Sequence, residues 1–352
     1  MGLKRDDFWI IENYKYRHAP NSAREFAGAV SLHNHCEHSI EKLASLDEVI
    51  KLGFMRPFRN ILQSAFGLSA VSDLRYRDVY YRPPLSAAEV FSAEAEQALH
   101  LGFANLLFAV TDHDEIAGGL DLLHARPTDT TRIALGEELS FQFCDNLFHL
   151  GVLGLPKSEL LEVHASLQAA ARDGNGDKLF ELLDDERYLV ILNHPLVPWG
   201  QLSPEAPTRA LLQRYGSRIH ALEYNGMRSR QENDAVLRLA QEAGKPVVGG
   251  GDSHLLLCGS VLSLTNATCF SDYIDEVKAG RGVCLLTPTF FAPVDWKIFL
   301  RVMYFIAHYR RIGYFRGQPV QEMLAGRVVM LDAAGLAARA LLGFSSAFGL
   351  IR

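Results

Sequence analysis

Residues 29–39 read AVSLHNHCEHS, an apolar run that ends in His33-Asn34-His35 with a further histidine at His38. Side chains alternate along an extended backbone, so His33 and His35 point the same way and both imidazoles can reach one ion. Alone, the pair is a weak signal, equally compatible with two ordinary histidines. Its company raises it. Thr111-Asp112-His113-Asp114, Gly136-Glu137-Glu138, Phe148-His149, Asn193-His194-Pro195, Glu223-Tyr224-Asn225 and Gly250-Gly251-Asp252-Ser253-His254 follow, most of them where an apolar run stops.

Working outward from this stretch, strands and helices alternate in the manner of a parallel α/β protein. The spacing predicts strands at 29–33, 106–110, 132–135, 147–153, 188–192, 218–222 and 247–248, seven in all, with a short helix at 46–52 after the first. Ser86-Ala87-Ala88-Glu89 is a capping box, and the helix it opens is expected to bury Ala87, Val90, Phe91, Ala95, Ala98 and Leu99 before stopping at Gly102. Polar helices are expected over 158–172 and 177–186. A second box, Ser229 to Glu232, opens a helix that closes at Gly244. In such folds the loops at the carboxyl ends of the strands gather on one face, so residues far apart in sequence meet at one mouth.

Composition bounds the class. The 352 residues are 48% hydrophobic and 22% charged, enough for a large core in one globular domain with or without an appendage. Five scattered cysteines without a Cys-x-x-Cys pair argue against a disulfide framework or a thiolate zinc site and for a reducing compartment. The first residues lack the apolar core of a signal peptide and no apolar run is long enough to span a bilayer, so a cytoplasmic location is expected. The net charge of -6 disfavours a general nucleic-acid coat protein. An anionic substrate then needs local cations or metals.

The converging set holds His33, His35, His113, His149, His194 and His254 with the carboxylates Glu138 and Asp252. Mixed imidazole and carboxylate ligation suits zinc, manganese or iron better than calcium. One ion cannot use eight ligands, so two or three divalent metal ions are expected, with Glu138 bridging a pair. His100, His124, His164, His220 and His308 fall within helices or beside strands and are read as structural. Cys36 faces away from its neighbouring histidines and is read as packing. Asp112 is expected to fix the ring of His113.

The order His-x-His, Thr-Asp-His-Asp, Gly-x-Glu, strand His, His-Pro, Glu-x-Tyr-Asn and Gly-Asp-x-His resembles the PHP family, named for polymerases and histidinol phosphatase, over about residues 29–287. The resemblance implies an α/β fold, a distorted seven-stranded (β/α) barrel of PHP type, and hydrolysis of a phosphoester by a metal-bridging hydroxide at a multinuclear metal site. It implies that His33, His35 and Asp252 hold one metal with Glu138 shared, that His149 and His194 help hold a second, and that His113 and His254 belong to a third. Many relatives follow His-x-His with Thr-x-x-Ser-Asp. Here the run is Cys36-Glu37-His38-Ser39-Ile40-Glu41, so Ile40 takes the aspartate position and Glu41 or His38 must supply the ligand; some relatives place it one residue later, which favours Glu41. His254 or a metal-bound water is the candidate donor to the leaving oxygen, and Arg228 can clamp a phosphate from the rim or serve as an ordinary helix-start charge. Glu223 is read as a partner that orients a histidine, with ligation and a plain strand-end acid as alternatives.

The expected domains are a barrel over 1–290 and a C-terminal helical appendage over 291–352. Between 53 and 84 the pattern is lost among interleaved arginines and aromatics, an insertion that is either a lid for a base and a phosphate or a packed loop. The apolar run at 296–308 and the segment at 333–348 either cover the barrel, form a homo-oligomer interface, or lie on a membrane surface, with packing preferred. The partner class is a small phosphorylated molecule, a nucleotide or a nucleic-acid end. The competing function is a non-catalytic or regulatory module that metal stabilises.

Overall fold

The computed structural model describes residues 8–19, 25–42, 79–197, 204–254 and 259–308, with short pieces at 313–315, 318–319, 336–337 and 339–340. The expected helix at 46–52, most of the insertion and most of 333–348 lie outside them. In chain order the elements are β1 (Trp9–Glu12), β2 (Lys15–His18), β3 (Gly28–Ser31), β4 (Glu41–Lys42), β5 (Val79–Tyr81), α1 (Ala87–His100), β6 (Asn105–Ala109), α2 (Ala117–Ala125), β7 (Ile133–Ala134), β8 (Gly136–Phe143) and β9 (Asn146–Leu153). Then come α3 (Leu160–Arg172), α4 (Gly176–Leu182), β10 (Leu189–Asn193), α5 (Glu205–Tyr215), β11 (Ala221–Asn225), α6 (Arg230–Ala243) and β12 (Val247–Gly250). The chain continues through β13 (Val261–Thr265), α7 (Phe270–Lys278), β14 (Val283–Leu286), α8 (Val294–Ala307), β15 (Gly313–Phe315) and β16 (Gln318–Pro319).

The strands form a seven-stranded sheet in the order β2-β1-β14-β13-β3-β6-β7, a five-stranded sheet β12-β11-β10-β9-β8, and a small sheet β16-β15-β5-β4. The fold is a mixed α/β one. The pairings β3–β6, β6–β7, β10–β11 and β11–β12 are parallel, as the alternation of strand and helix predicts. The purely parallel expectation is corrected by β8–β9, β9–β10, β13–β3, β13–β14 and β1–β14, all antiparallel. Only Cys144 and Asp145 separate β8 from β9, and both take positive φ (49° and 59°), the backbone of a two-residue hairpin that forces reversal where a parallel pair needs a crossover.

Strand alternation sorts the core. Leu106, Phe108 and Val110 pack into one buried group with Leu122, Leu150 and Leu192, while Leu107 and Ala109 face another with Leu189, Ile191, Ala221, Ile274 and Val277. Both faces of β6 and β10 are therefore covered, as central strands of an α/β protein require. Among the described residues no backbone ladder joins the two large sheets into one closed sheet. They approach through the run of β7 into β8 and through the Gly249 amide, which donates to Ser263 Oγ at 2.8 Å. Two isolated parallel bridges, His113 with Glu138 and Asn34 with Ser253, link them at one end.

Helix α8, from the segment expected as an appendage, buries Phe299, Leu300, Met303 and Ala307 against the rest of the protein. No helix of the described residues is long and apolar enough to cross a membrane.

Candidate metal centre

The two isolated bridges set the site. After β3 the His35 amide donates to the Ser253 carbonyl (3.2 Å) and the Ser253 amide to the His33 carbonyl (3.3 Å), so the His-x-His run lies against Asp252 and His254. After β6 the Asp114 amide donates to the Glu138 carbonyl (3.0 Å) and the Glu138 amide to the Asp112 carbonyl (3.1 Å), which sets His113 beside Glu138. His149 enters from β9, opposite Ser140 of β8, and His194 follows the end of β10. His194 (φ 28°) and Asp252 (φ 48°) both take left-handed backbone conformations, strain of a kind that clusters at functional sites.

Glu138 is the centre. Its carboxylate is buried, and its two oxygens divide the imidazoles. Oε2 lies 3.0 Å from His33 Nε2, 3.3 Å from His35 Nε2 and 3.3 Å from His113 Nδ1. Oε1 lies 3.0 Å from His194 Nε2 and 3.4 Å from His149 Nδ1, and accepts from Asn193 Nδ2 at 3.0 Å. Ligand atoms within 4.8 Å of one another fall into four overlapping groups: His35, Glu41, His113 and His254; His33, Glu138 and His194; His33, His35 and Asp252; His113, Glu138 and His149. All nine residues expected to ligate are thus brought together. His149 and His194 share Glu138 Oε1 but fall in separate groups. Concentrated, buried imidazole and carboxylate donors of this kind fit divalent transition metals.

Burial and charge act against each other throughout. Burial pushes Glu138 up, but the charges of His33, His113 and His149 hold it well below the ordinary carboxylate value. Glu41 is likewise held well below by His113 and His254, and Asp252 by His254, His33 and His194, each against burial. Burial lowers the His33 and His113 rings, yet their carboxylates prevail, holding His33 well above its usual value and His113 at about 10. His35 is taken down to about 3 by burial and the neighbouring His254 charge. The cluster titrates as a coupled unit of opposite charges.

The surrounding shell fixes these groups. Glu223 Oε1 lies 2.6 Å from His33 Nδ1, while its Oε2 accepts from the His194 amide (2.7 Å) and from Asn225 Nδ2 (3.0 Å), so it orients two of the histidines. Asn225 Nδ2 also reaches Asp252 Oδ2 at 3.1 Å. Gly250 makes this packing feasible, because a Cβ there would stand 1.8 Å from Glu223 Oε1. The expectation for Asp112 is corrected. It does not fix His113; its Oδ1 accepts from the Cys36 amide (2.6 Å) and its Oδ2 from the Cys36 thiol (2.9 Å), and burial pushes its carboxyl up to about 7.

Of the two alternatives near Ile40, Glu41 faces the cluster, 2.9 Å from His254 Nε2 and 3.3 Å from His113 Nε2. His38 turns to Asp121 at 2.8 Å on the surface. Arg228 stays outside the cluster, 3.9 Å from Glu232. Four of the five histidines read as structural make contacts elsewhere: His100 with the Glu96 carbonyl (2.8 Å), His164 with Glu137 (3.0 Å), His220 with the Val190 amide (2.9 Å) and His308 with the Tyr304 carbonyl (3.1 Å). Missed by the sequence reading are Asn193, Tyr81 and Arg301. Asn193 was quoted with the His-Pro pair but given no role, Tyr81 was read only as part of the insertion, and Arg301 belongs to a segment without a motif.

No family model matches the chain, and no curated protein sequence does. Solved structures similar to it include an amidohydrolase from Chromobacterium violaceum with bound sulfate and no metal, at 17% identity and a TM-score of 0.37 over 58% of this chain and 93% of that one. PsfC from Pseudomonas syringae is similar at 18% identity and a TM-score of 0.42 over 62% and 91%. A two-domain protein from Bacteroides vulgatus, containing a predicted PHP-like metal-dependent phosphoesterase, is similar at 12% identity and a TM-score of 0.39 over 58% and 64%. At these TM-scores the likeness carries no functional argument, and the chemistry of the site rests on its own geometry.

Proposed function

We propose that the chain is a metal-dependent phosphoesterase, a hydrolase whose His and carboxylate cluster holds two or three divalent ions of zinc, manganese or iron. The observation that supports it is the buried Glu138 carboxylate, whose two oxygens meet five imidazoles from four separate segments, those after β3, β6 and β10 and β9 itself. In this reading His33, His35 and Asp252 hold one ion, Glu138 with His149 and His194 another, and Glu41, His113 and His254 a third, with Glu138 shared. Such ions, when bound, lower the pKa of water and neutralise charge on phosphoryl oxygens. The protein's own groups do the rest. Glu223 and Asn225 keep His33, His194 and Asp252 in place, and Arg228 offers charge from the rim; where His254 is not ligated, it is the candidate proton donor to the leaving oxygen. The substrate class is a phosphorylated small molecule, a nucleotide or an oligonucleotide end.

The same reading takes the two large sheets as one distorted barrel of seven strands, β3, β6, β7, β9, β10, β11 and β12. The bridges of His113 to Glu138 and Asn34 to Ser253 support that closure.

Elemental analysis of protein purified without chelator, paired with assays on a generic phosphomonoester and diester, tests the function. More than one equivalent of transition metal is expected, and Glu138→Ala or Asp252→Ala should lose part of it and nearly all activity. Full activity in metal-free protein would refute the reading. Metal-loaded protein inert on both esters would instead favour a non-catalytic, metal-stabilised module.

A further inference from the structure

Helix α8 carries two cations to the site from beyond the last motif. Lys297 is buried, donates from Nζ to the Gly226 carbonyl at 2.8 Å and sits 4.7 Å from the centroid of the Phe290 ring. Gly226 directly follows the strand end Glu223-Tyr224-Asn225, so this contact pins the helix to the rim. Four residues on, and hence on the same helix face, Arg301 donates from Nη2 to the Asp252 carbonyl (3.1 Å) and lies 2.9 Å from His254 Nδ1. Tyr81 of β5 completes this wall, buried and near enough to Arg301, Glu41 and Asp252 for all three charges to act on its phenol.

Neither of the partners of Arg301 among the described residues is a carboxylate, although Glu41 and Asp252 are close by; both pair with His254 instead. Its Nε and Nη1 groups make no hydrogen bond to the described residues. A guanidinium is a planar fork of five donors that matches phosphate in two-point geometry. Among the described residues the fork is held by one nitrogen over the cluster, and its remaining donors meet no carboxylate.

We propose that Arg301 is the anion-binding residue of a subsite for a terminal phosphate, so that the substrates are phosphomonoesters in preference to diesters. The inference rests on the phosphoesterase reading above and names its substrate class. A terminal phosphate presents three non-bridging oxygens, enough to face the cluster and the fork together. A diester has two, and its second ester arm would leave the fork unpaired or collide with α8, the kind of unpaired polar contact from which specificity arises.

The test uses the metal-loaded full chain. Binding of inorganic phosphate is measured by isothermal titration calorimetry for wild type, R301A and R301K, with bound metal determined in each. Hydrolysis of para-nitrophenyl phosphate and of bis-para-nitrophenyl phosphate is followed alongside. Loss of a charge-assisted contact should weaken phosphate binding by about tenfold to a hundredfold in R301A and raise KM for the monoester by a similar factor, with metal content retained and a smaller effect on the diester. R301K should recover part of the loss, since it restores charge without the fork. Unchanged phosphate binding in R301A, equal effects on the two esters, or loss of metal would each overturn the proposal. A wild type that hydrolyses neither ester, yet loses phosphate binding on R301A, would keep the subsite and sink the phosphoesterase reading alone.

Discussion

At the residue scale, the stretch after His35 shows how backbone alternation chooses between chemically plausible ligands. Ile40 stands half exposed at 52%, and the next residue along the extended chain, Glu41, therefore turns inward to His113 and His254. Ser39 supports it by donating to Glu41 Oε1 while its oxygen accepts from the His113 amide at 3.2 Å. Glu41→Gln is expected to lower the metal content by a fraction of the total and reduce kcat, whereas His38→Ala should leave both near wild type; elemental analysis with steady-state kinetics separates them. A loss in His38→Ala equal to that in Glu41→Gln would show that the surface histidine, not the buried acid, completes the site. Most of the histidines were legible in sequence because they follow an apolar strand, and strand ends converge; His149, inside β9, faces the same cluster. Asp112 was misread because an acid beside a histidine suggests a pair, whereas neighbours on an extended chain point to opposite sides and this one turns to Cys36. Arg301 could not be read at all. Its position depends on where α8 docks, which tertiary packing decides.

At the scale of elements, the helices with complete capping boxes were the most legible. Ser86 with Glu89 and Ser229 with Glu232 each form both reciprocal contacts, and α6 closes at Gly244 in the left-handed conformation (φ 64°). Helices α2, α5 and α7 went unread, and none of the three has a side-chain cap at its start. Helix α6 also reaches the site. Asn233 Oδ1 accepts from the Asn225 amide at 2.9 Å and its Nδ2 donates to the Asn225 carbonyl at 2.9 Å, which holds the side chain that orients Glu223 and Asp252. Ser229→Ala should lower stability by about 1 kcal/mol in urea denaturation, with kcat little changed. Asn233→Ala leaves a buried amide unsatisfied, which costs about 1–3 kcal/mol, and should lower kcat as well. A kcat loss of equal size in both variants would mean that activity follows helix stability and that Asn233 has no special hold on the site.

For the molecule as a whole, two separate reservoirs make stability depend on pH, one in the cluster and one far from it. Between β10 and the start of β11, His220 Nδ1 accepts the Val190 amide at 2.9 Å, a bond that needs the neutral ring, and burial takes its pKa down to about 4 from the usual 6.5. The unfolded chain then binds the extra proton first, so this contribution is present above about pH 6.5 and is lost as pH falls toward 4. His220→Gln should flatten the fall in Tm over that window without changing the response to chelator. The cluster behaves differently, because divalent ions bind the folded chain and imidazoles must shed protons to ligate. At pH 7.5, removal of metal with EDTA should lower Tm, by about 5 °C or more if the ions are bound well above their dissociation constants. That gap should narrow as pH drops through the histidine range, and Glu138→Ala should nearly abolish it, since the shared carboxylate holds the groups together. Differential scanning calorimetry on the four combinations of Glu138→Ala or wild type, with and without EDTA, decides the matter. A Tm indifferent to chelator in the wild type, with metal shown to have been removed, would mean that the cluster folds on its imidazole–carboxylate contacts alone and that metal adds nothing to the fold.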